Sequence, residues 1–148
     1  MSVKLGDEMK LYFCAAGIGG SPEWTEISRV KDVKLTPNKG EADVTTRASG
    51  GWKQTIGTLI DASIEFEMTW DTEDEALQAL KDAFFGNSLL GLAVMDGDIE
   101  TPGSEGLWAD CAVLKFDRSE PLEKEATVAV TAKPTYSANA PQWKVIGA

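Results

Sequence analysis

The most regular pattern of apolar and polar positions lies in Ile64–Trp70, where the two kinds of side chain alternate without a break. A period of two residues is typical of a β-strand with one buried and one hydrated face. The segment before it, residues 45–57, is polar and Gly-containing, and carries Arg47, Trp52 and Lys53. Long loops inside compact domains are usually functional, so we expect this one to contact a partner.

Apolar patterning predicts further strands on both sides of this one. They are Met9–Cys14, Trp24–Leu35, Leu89–Met95, Leu107–Phe116 and Glu125–Lys133. In the second of these strands the apolar spacing slips between Ile27 and Val30, as it does at a β-bulge. The Pro, Asn and Gly of Thr36–Gly40 predict a turn, and Glu41–Ala48 is a candidate for a short extended stretch.

One helix is predicted, from Thr72 to Phe85. Thr72 and Glu75 have the spacing of a capping box, and Gly86-Asn87 is a typical helix end. The apolar positions recur at helical intervals and are expected to face the core. They are Ala76, Leu77, Leu80, Ala83 and Phe84.

The order of these elements predicts a mainly β fold. Six or seven strands with one helix among them favour an antiparallel β-sandwich or barrel with one packed α-helix. Residues 1–148 are expected to form a single domain with an extended loop at about 36–57 and with terminal arms. The length of the chain is sufficient for one hydrophobic core.

Composition narrows the possible partners. Hydrophobic residues make up 43% and charged residues 26% of the chain, as in soluble globular proteins. The net charge of -10 disfavours tight binding of nucleic acid, because such a surface repels phosphates. No apolar run approaches the roughly 20 residues that cross a bilayer. The first ten residues lack the apolar core of a signal peptide, so we expect the protein to remain in the cytosol.

The residues that usually carry catalysis are scarce. The chain has no histidine, which removes Ser-His-Asp and Cys-His arrangements and the commonest metal ligand. Cys14 and Cys111 lie far apart in apolar segments and are expected to be buried free thiols. An enzyme with paired carboxylates is the least favoured function, because nothing in the sequence places two acids in one pocket.

A calcium site is also disfavoured. Asp96, Asp98 and Glu100 have the spacing that begins a calcium-binding loop. Thr101 stands where that loop requires Gly, and Leu107 stands where it requires a bidentate Glu. We therefore interpret this segment as a solvated hairpin loop and predict no catalytic residue, metal or cofactor.

The five tryptophans divide into two groups. Trp24 and Trp70 fall in predicted strands and are expected in the core. Trp52 and Trp143 fall in polar or terminal segments and are expected at an interface between copies of the chain, where Trp is enriched.

Several segments together resemble the tail tube proteins (major tail proteins) of long-tailed bacteriophages. The family's opening strand, Trp-x-x-Ile-x-x-Val-Lys-Asp-Val, is matched by Trp24–Val33. An acidic segment with Asp-Val-Thr-x-Arg is matched by Glu41–Arg47, and a Gly-Trp-Lys turn is matched by Gly51–Lys53. The helix at Thr72–Phe85 follows the long strand as it does in the family. The resemblance extends over residues 9–134.

This resemblance implies a structural role. The protein would form hexameric rings that stack into a hollow tube through which DNA passes without specific binding. Other tail proteins, such as a tail terminator and a tape measure protein, would be partners, and the protein would reside in the virion tail after assembly in the host cytoplasm. The residues implied in contacts between subunits are Asp43, Thr45, Arg47, Trp52, Lys53 and, in a terminal arm, Trp143. Glu65 and Glu67 are candidates to line the lumen.

Two other functions stay open. One is a tube subunit of a secretion or contractile injection apparatus, which would have the same architecture and a protein cargo. The other is a monomeric β-sandwich binding module, for example for carbohydrate, with Trp108 or Trp52 as a stacking platform.

Overall fold

Antiparallel strands account for most of the computed structural model, which describes residues 9–19, 22–120, 122, 124–135 and 137–147. The strands are β1 (Lys10–Cys14), β2 (Thr25–Glu26), β3 (Val30–Asp43), β4 (Thr55–Thr69), β5 (Leu89–Met95), β6 (Glu105–Ser119), β7 (Thr127–Pro134) and β8 (Gln142–Val145). The helix α1 spans Glu75–Gly86, and a short 3-10 turn spans Arg47–Ser49.

All eight strands belong to one sheet. Its order is β2-β1-β5-β6-β7-β4-β3, every recorded pair is antiparallel, and β8 lies off this path against β6. The prediction of a mainly β, antiparallel fold with one packed helix is confirmed. β3 lies at one end of the sheet, and no strand among the described residues pairs with its outer edge.

The main core lies on one face of this sheet and is closed by α1. Ile64, Phe66 and Met68 point into it from β4, as their alternation predicted. Leu77 and Leu80 of α1 are fully buried in the same cluster. The inner residues of β1, β5, β6 and β7 complete it, so strands from both halves of the sheet share one core.

A second, smaller core covers the opposite face near β1, β5 and β6. Its buried members include Tyr12, Met95 and Trp108, with Trp24 and Ile146 packed against them. The sheet is therefore buried on both faces at this end, while β3 and β4 expose one face to water. Trp24 packs edge-on to Trp108, with ring centroids 5.0 Å apart, although it precedes β2 rather than lying in a strand.

The buried carboxylate of Asp110 connects two separate segments of the chain at this end of the sheet. The backbone N–H of Ile18 donates to Asp110 Oδ1 at 2.8 Å, and the Ser137 hydroxyl donates to Oδ2. Asp110 thereby holds a loop after β1 and the segment after β7 against the same strand. Cys14 and Cys111 are buried free thiols as predicted, and burial raises the pKa of Cys111 to about 12.

The helix starts later than its sequence indicates. Asp74 is the N-cap and accepts a hydrogen bond from the N–H of Ala76, so the predicted capping box of Thr72 and Glu75 is wrong. The carboxylate sits at the end of the helix where N–H groups lack partners, which explains why an Asp takes this position. Asn87, in the left-handed conformation, ends the helix close to the predicted residue.

The predicted turn at Thr36–Gly40 is wrong, and with it the extent of the loop at 36–57. β3 runs straight through this segment, and Pro37 is paired with Ala62 of β4. An edge strand tolerates Pro because a missing N–H on its outer side costs no ladder hydrogen bond. The register shifts between Lys39 and Glu41, so the Gly between them is accommodated as an irregularity. The two strands form one long hairpin with a tip at residues 44–54.

The segment after β7 also differs from expectation. Four residues predicted to lie in a terminal arm form β8, which pairs with Glu105–Trp108 of β6. β7 ends at Pro134 opposite Cys111, which leaves this part of β6 free for β8. All four residues of β8 are exposed, including Trp143.

Candidate assembly interface

The β3–β4 hairpin projects beyond the core. The first seven residues of β4, from Thr55 to Asp61, are all exposed, and burial starts at Ala62. At about 3.4 Å per residue, this part of the arm reaches on the order of 24 Å from the body. A two-stranded arm of this length has no core of its own, so it depends on other contacts for full burial.

The arm exposes large apolar side chains. Leu59 is 85% exposed and Ile60 69%, and Ile56 and Val44 also face solvent. Ile56 and Ile60 lie on one face of β4 and Leu59 on the other, so the arm exposes apolar side chains on both faces. Large exposed apolar side chains gathered on one projecting segment are typical of sites of protein association. The sequence prediction did not single these residues out, because Val44 and Ile56 fell within the predicted loop and Leu59 and Ile60 lay between that loop and the alternating strand. Their apolar character was visible in Ile56, Leu59 and Ile60, immediately before the alternating strand.

Internal hydrogen bonds and two glycines give the tip of the hairpin a defined conformation. The Asp43 carboxylate accepts a hydrogen bond from the N–H of Thr45, and the Thr45 hydroxyl accepts one from the N–H of Gln54 at 2.7 Å. Hydrogen bonds from the Thr45 side chain and N–H lower the pKa of the Asp43 carboxyl. Gly50 and Gly51 have φ of 66° and 87°, a conformation that favours glycine. Asp43 and Thr45 thus shape the tip.

The tip presents a tryptophan and two cations. Trp52 is 78% exposed. Arg47 lies in the 3-10 turn and Lys53 follows Trp52, and neither makes a salt bridge within the part of the chain that the structure describes. The five residues predicted here for contacts between subunits, Asp43, Thr45, Arg47, Trp52 and Lys53, therefore share one tip. Their contacts with another copy stay a prediction.

The sixth predicted contact residue lies elsewhere. Trp143 on β8 is 57% exposed and lies near the base of the hairpin, where Leu35 and Pro37 of β3 line the same recess. It lines a recess between the hairpin and β8. Trp143 is thus not part of the tip, and its role at an interface also stays a prediction.

Glu65 and Glu67 point away from the core, on the hydrated face of β4. The register places Lys34 of β3 opposite Glu65 and Lys31 opposite Glu67. Across the same face, Lys115 pairs with Asp117 at 3.3 Å. This face therefore carries cations and anions in alternation rather than acids alone.

One of the two tryptophans suggested as a platform for carbohydrate stacking is unsuitable. Trp108 is buried, with Trp24 edge-on to it and the Lys144 ammonium 5.1 Å from its ring centroid. Its faces are taken by these neighbours, so the suggested platform at Trp108 is wrong. Trp52 keeps an open face.

The described residues hold no cluster of three or more side chains that could bind a metal ion. The carboxylates of the disfavoured calcium segment serve the loop itself, because Asp98 accepts a hydrogen bond from the N–H of Glu100 and Asp96 from that of Glu105. None of the helices in the described ranges is long and apolar enough to span a membrane.

A projecting arm with exposed apolar side chains, and a tip with an exposed tryptophan and cations, have the chemistry of a surface for protein association. The particular family follows from the sequence. The family model of the phage tail tube protein matches residues 7–135, and the chain belongs to this family. It is a structural tail tube protein, as the resemblance of its sequence motifs to that family implied. Among curated proteins, none matches the chain significantly.

Solved structures share the fold at low sequence identity. A chain in the tail of an empty gene transfer agent particle, refined helically with C6 symmetry, aligns with a TM-score of 0.72 at 18% identity, covering 97% of this chain and 100% of that chain. The SPP1 tail tube aligns with a TM-score of 0.74 at 9% identity, covering 99% and 81%. A chain of the anti-feeding prophage baseplate, 6-fold symmetrised, aligns with a TM-score of 0.62 at 8% identity, covering 99% and 97%.

Proposed function

We propose that this tail tube protein assembles into hexameric rings that stack as a hollow conduit for DNA. The observation that carries the proposal is the projecting hairpin, whose exposed apolar side chains have no core of their own to enter. The sixfold symmetry of the gene transfer agent tail, a structure with the same fold, supports the ring number.

The fold suits two different contacts between copies. A contact that joins unlike surfaces closes a ring when its rotation closes, and a second such contact along the axis propagates a tube. The open outer edge of β3 is available to a neighbour in the ring. The hairpin tip, with Arg47, Trp52 and Lys53, contributes the contact between rings.

The hydrated face of β3, β4, β7 and β6 is the surface that we assign to the lumen. Glu65 and Glu67 line it, and Lys34 and Lys31 stand opposite them. Mixed charges on this face, on a chain with a net charge of -10, offer DNA no continuous row of cations to bind. DNA would therefore pass through the lumen without being held. A tail terminator and a tape measure protein are the partners expected at the end and inside of such a tube. The protein would act without catalysis, in the virion tail, after assembly in the host cytoplasm.

A tube of an injection apparatus is the second candidate. The anti-feeding prophage baseplate chain has the same fold, so the fold alone fits both kinds of tube. The match to the phage tail tube family favours the DNA conduit.

Electron microscopy of the purified protein tests the assembly. At high protein concentration we expect tubes, and averaged end views with six subunits around an open centre. Sedimentation of the same samples gives the control, because tubes pellet and monomers do not. A protein that stays monomeric at all concentrations, with no rings in the images, would contradict the proposal.

Reversal of one tip charge should weaken assembly in a salt-dependent way. In Arg47→Glu the tip loses an exposed cation and gains an anion, so we expect the concentration needed for assembly to rise about fivefold at low salt. The difference should nearly vanish at about 1 M salt, where charges are screened within roughly 3 Å. Light scattering against protein concentration measures both.

Lys124→Glu is the matched control, because it makes the same change of charge at an exposed cation outside the hairpin. It should assemble like the unmodified protein. Identical assembly of Arg47→Glu and Lys124→Glu at every salt concentration would remove Arg47 from the interface.

A further inference from the structure

An apolar groove runs along the base of the hairpin. One part is a recess of about 420 Å³ between β3, β4 and β8, lined by Leu35, Pro37, Ala62, Leu107, Pro134 and Trp143. A second recess of about 290 Å³ continues past Val33, Val94 and Met95. Leu35 and Trp143 line both parts, so the two recesses form one surface, which we call the base groove.

Carboxylates stand along the base groove. Asp61 lines its first part, where the Lys133 ammonium lies 3.9 Å from its carboxylate, and Asp96 and Glu105 line the second. The single lysine in these linings, Lys10, forms a salt bridge with Glu26 at 3.3 Å. The base groove is therefore apolar inside and acidic at its margin.

The tip of the hairpin has the complementary chemistry. Trp52 is a large exposed side chain, and Arg47 and Lys53 flank it as cations without salt bridges in the described chain. An aromatic anchor in a desolvated pocket with cations against carboxylates at the rim is the usual anatomy of a tight protein interface.

The tip cannot occupy the base groove of its own chain. The groove extends to Ile60 and Asp61 at the root of the arm, whereas Trp52 lies beyond the other end of the exposed segment, before Thr55. The paired strands between Thr55 and Ile60 hold these two places at least roughly 17 Å apart. A tip that enters the groove must therefore come from a second copy.

We propose that the base groove of each subunit receives the hairpin tip of a second copy, with Trp52 against Trp143 and Leu35 and with Arg47 and Lys53 beside Asp96, Glu105 or Asp61. This inference rests on the proposed function and specifies the partner surface of the contact between rings. Because donor and acceptor are different surfaces, the contact leaves a free tip at one end and a free groove at the other, so it extends without limit.

Disulfide trapping between two different variants tests this contact. Trp52→Cys places a thiol on the tip, and Gln142→Cys places one at an exposed position in the lining of the groove. The native Cys14 and Cys111 are buried and stay out of reach. The two variants, with tags of different length, are mixed, assembled with an excess of unmodified protein, and oxidised briefly.

We expect a disulfide-linked heterodimer as the main product in tubes, at least tenfold above its level in samples kept below the assembly concentration. Trp52→Cys mixed with Leu114→Cys is the matched control, since Leu114 is exposed on β6 away from the groove. That mixture should give no heterodimer above background.

Three results would overturn the inference while tubes still form. The first is absence of the heterodimer, and the second is an equal yield of heterodimer with Leu114→Cys. The third is a disulfide between Gln142→Cys and Ser2→Cys within one chain, which would make the N-terminal residues the occupant of the groove. Failure of the unmodified protein to form tubes would instead overturn the proposed function, and electron microscopy of the same samples separates the two cases.

Discussion

Replacement of Thr45–Lys53 by Asn-Gly is expected to give a folded protein that forms no tubes. Val44 and Gln54 are already joined across the hairpin by a backbone hydrogen bond of 2.9 Å. A two-residue Asn-Gly turn matches the twist of paired strands, so it can close the hairpin at this pair without strain. The substitution removes Arg47, Trp52 and Lys53 and leaves every core residue in place.

The expected loss of assembly is large because the tip carries the anchor of the contact. Removing a buried aromatic anchor commonly costs 2 kcal/mol or more, which is roughly thirtyfold in affinity for each contact. Six contacts in each ring would multiply this effect. Sedimentation and electron microscopy measure it, while circular dichroism and thermal unfolding show whether the domain stays folded.

A control separates the tip from loop shortening in general. Trp52→Ala keeps the length of the hairpin and the hydrogen bonds of Asp43, Thr45 and Gln54, and should also assemble poorly. Tubes of ordinary length from the Asn-Gly variant would show that the tip has no role in stacking.

The second large effect is a difference in the free energy of unfolding between substitutions at two isoleucines of one strand. Ile64→Ala is expected to lower the free energy of unfolding by about 2–5 kcal/mol, whereas Ile60→Ala should change it by less than about 0.5 kcal/mol. Both residues lie on β4 with their side chains on the same face, four residues apart. Ile64 is fully buried and Ile60 is 69% exposed. Truncation therefore leaves a cavity at residue 64 and none at residue 60.

Urea unfolding measures both values, and the Asn-Gly variant is a suitable background because it keeps assembly from adding to stability. In the full-length hairpin, Ile60→Ala should weaken assembly in spite of its small effect on folding. Equal destabilisation by the two substitutions would show that the arm packs against the body in solution and does not project.

The sequence predicted the parts of the fold that depend on local pattern. The bounds of β5 agree with the prediction, and alternation marked Ile64, Phe66 and Met68, three of the four buried residues of β4. The helix was placed correctly except for its first turn, where Asp74 caps it in place of Thr72. Amphipathic periods report burial directly, because a side chain that faces the core must be apolar along most of an element.

The hairpin shows where local pattern was insufficient. Pro37 and Gly40 indicate a turn in isolation, yet their segment is held as a strand by the ladder to β4. Ile56 fell within the predicted loop, and Leu59 and Ile60 precede the alternating segment, so none of the three was recognised as a contact residue. β8 was missed because four residues are too few for a period to appear, and only the end of β7 at Pro134 creates a place for it.

By itself the sequence determined that this protein is acidic, mainly β, free of histidine and similar to tail tube proteins, because composition and periodicity are properties of the chain. The tertiary structure decided that much of the predicted loop at 36–57 is paired strand, that Glu65 and Glu67 stand opposite lysines, and that Trp143 lies beside an apolar groove. These properties depend on pairing between residues far apart in the chain. Such pairing is set by the whole sheet, whose hydrogen bonds outweigh the local preference of any one segment for turn or strand.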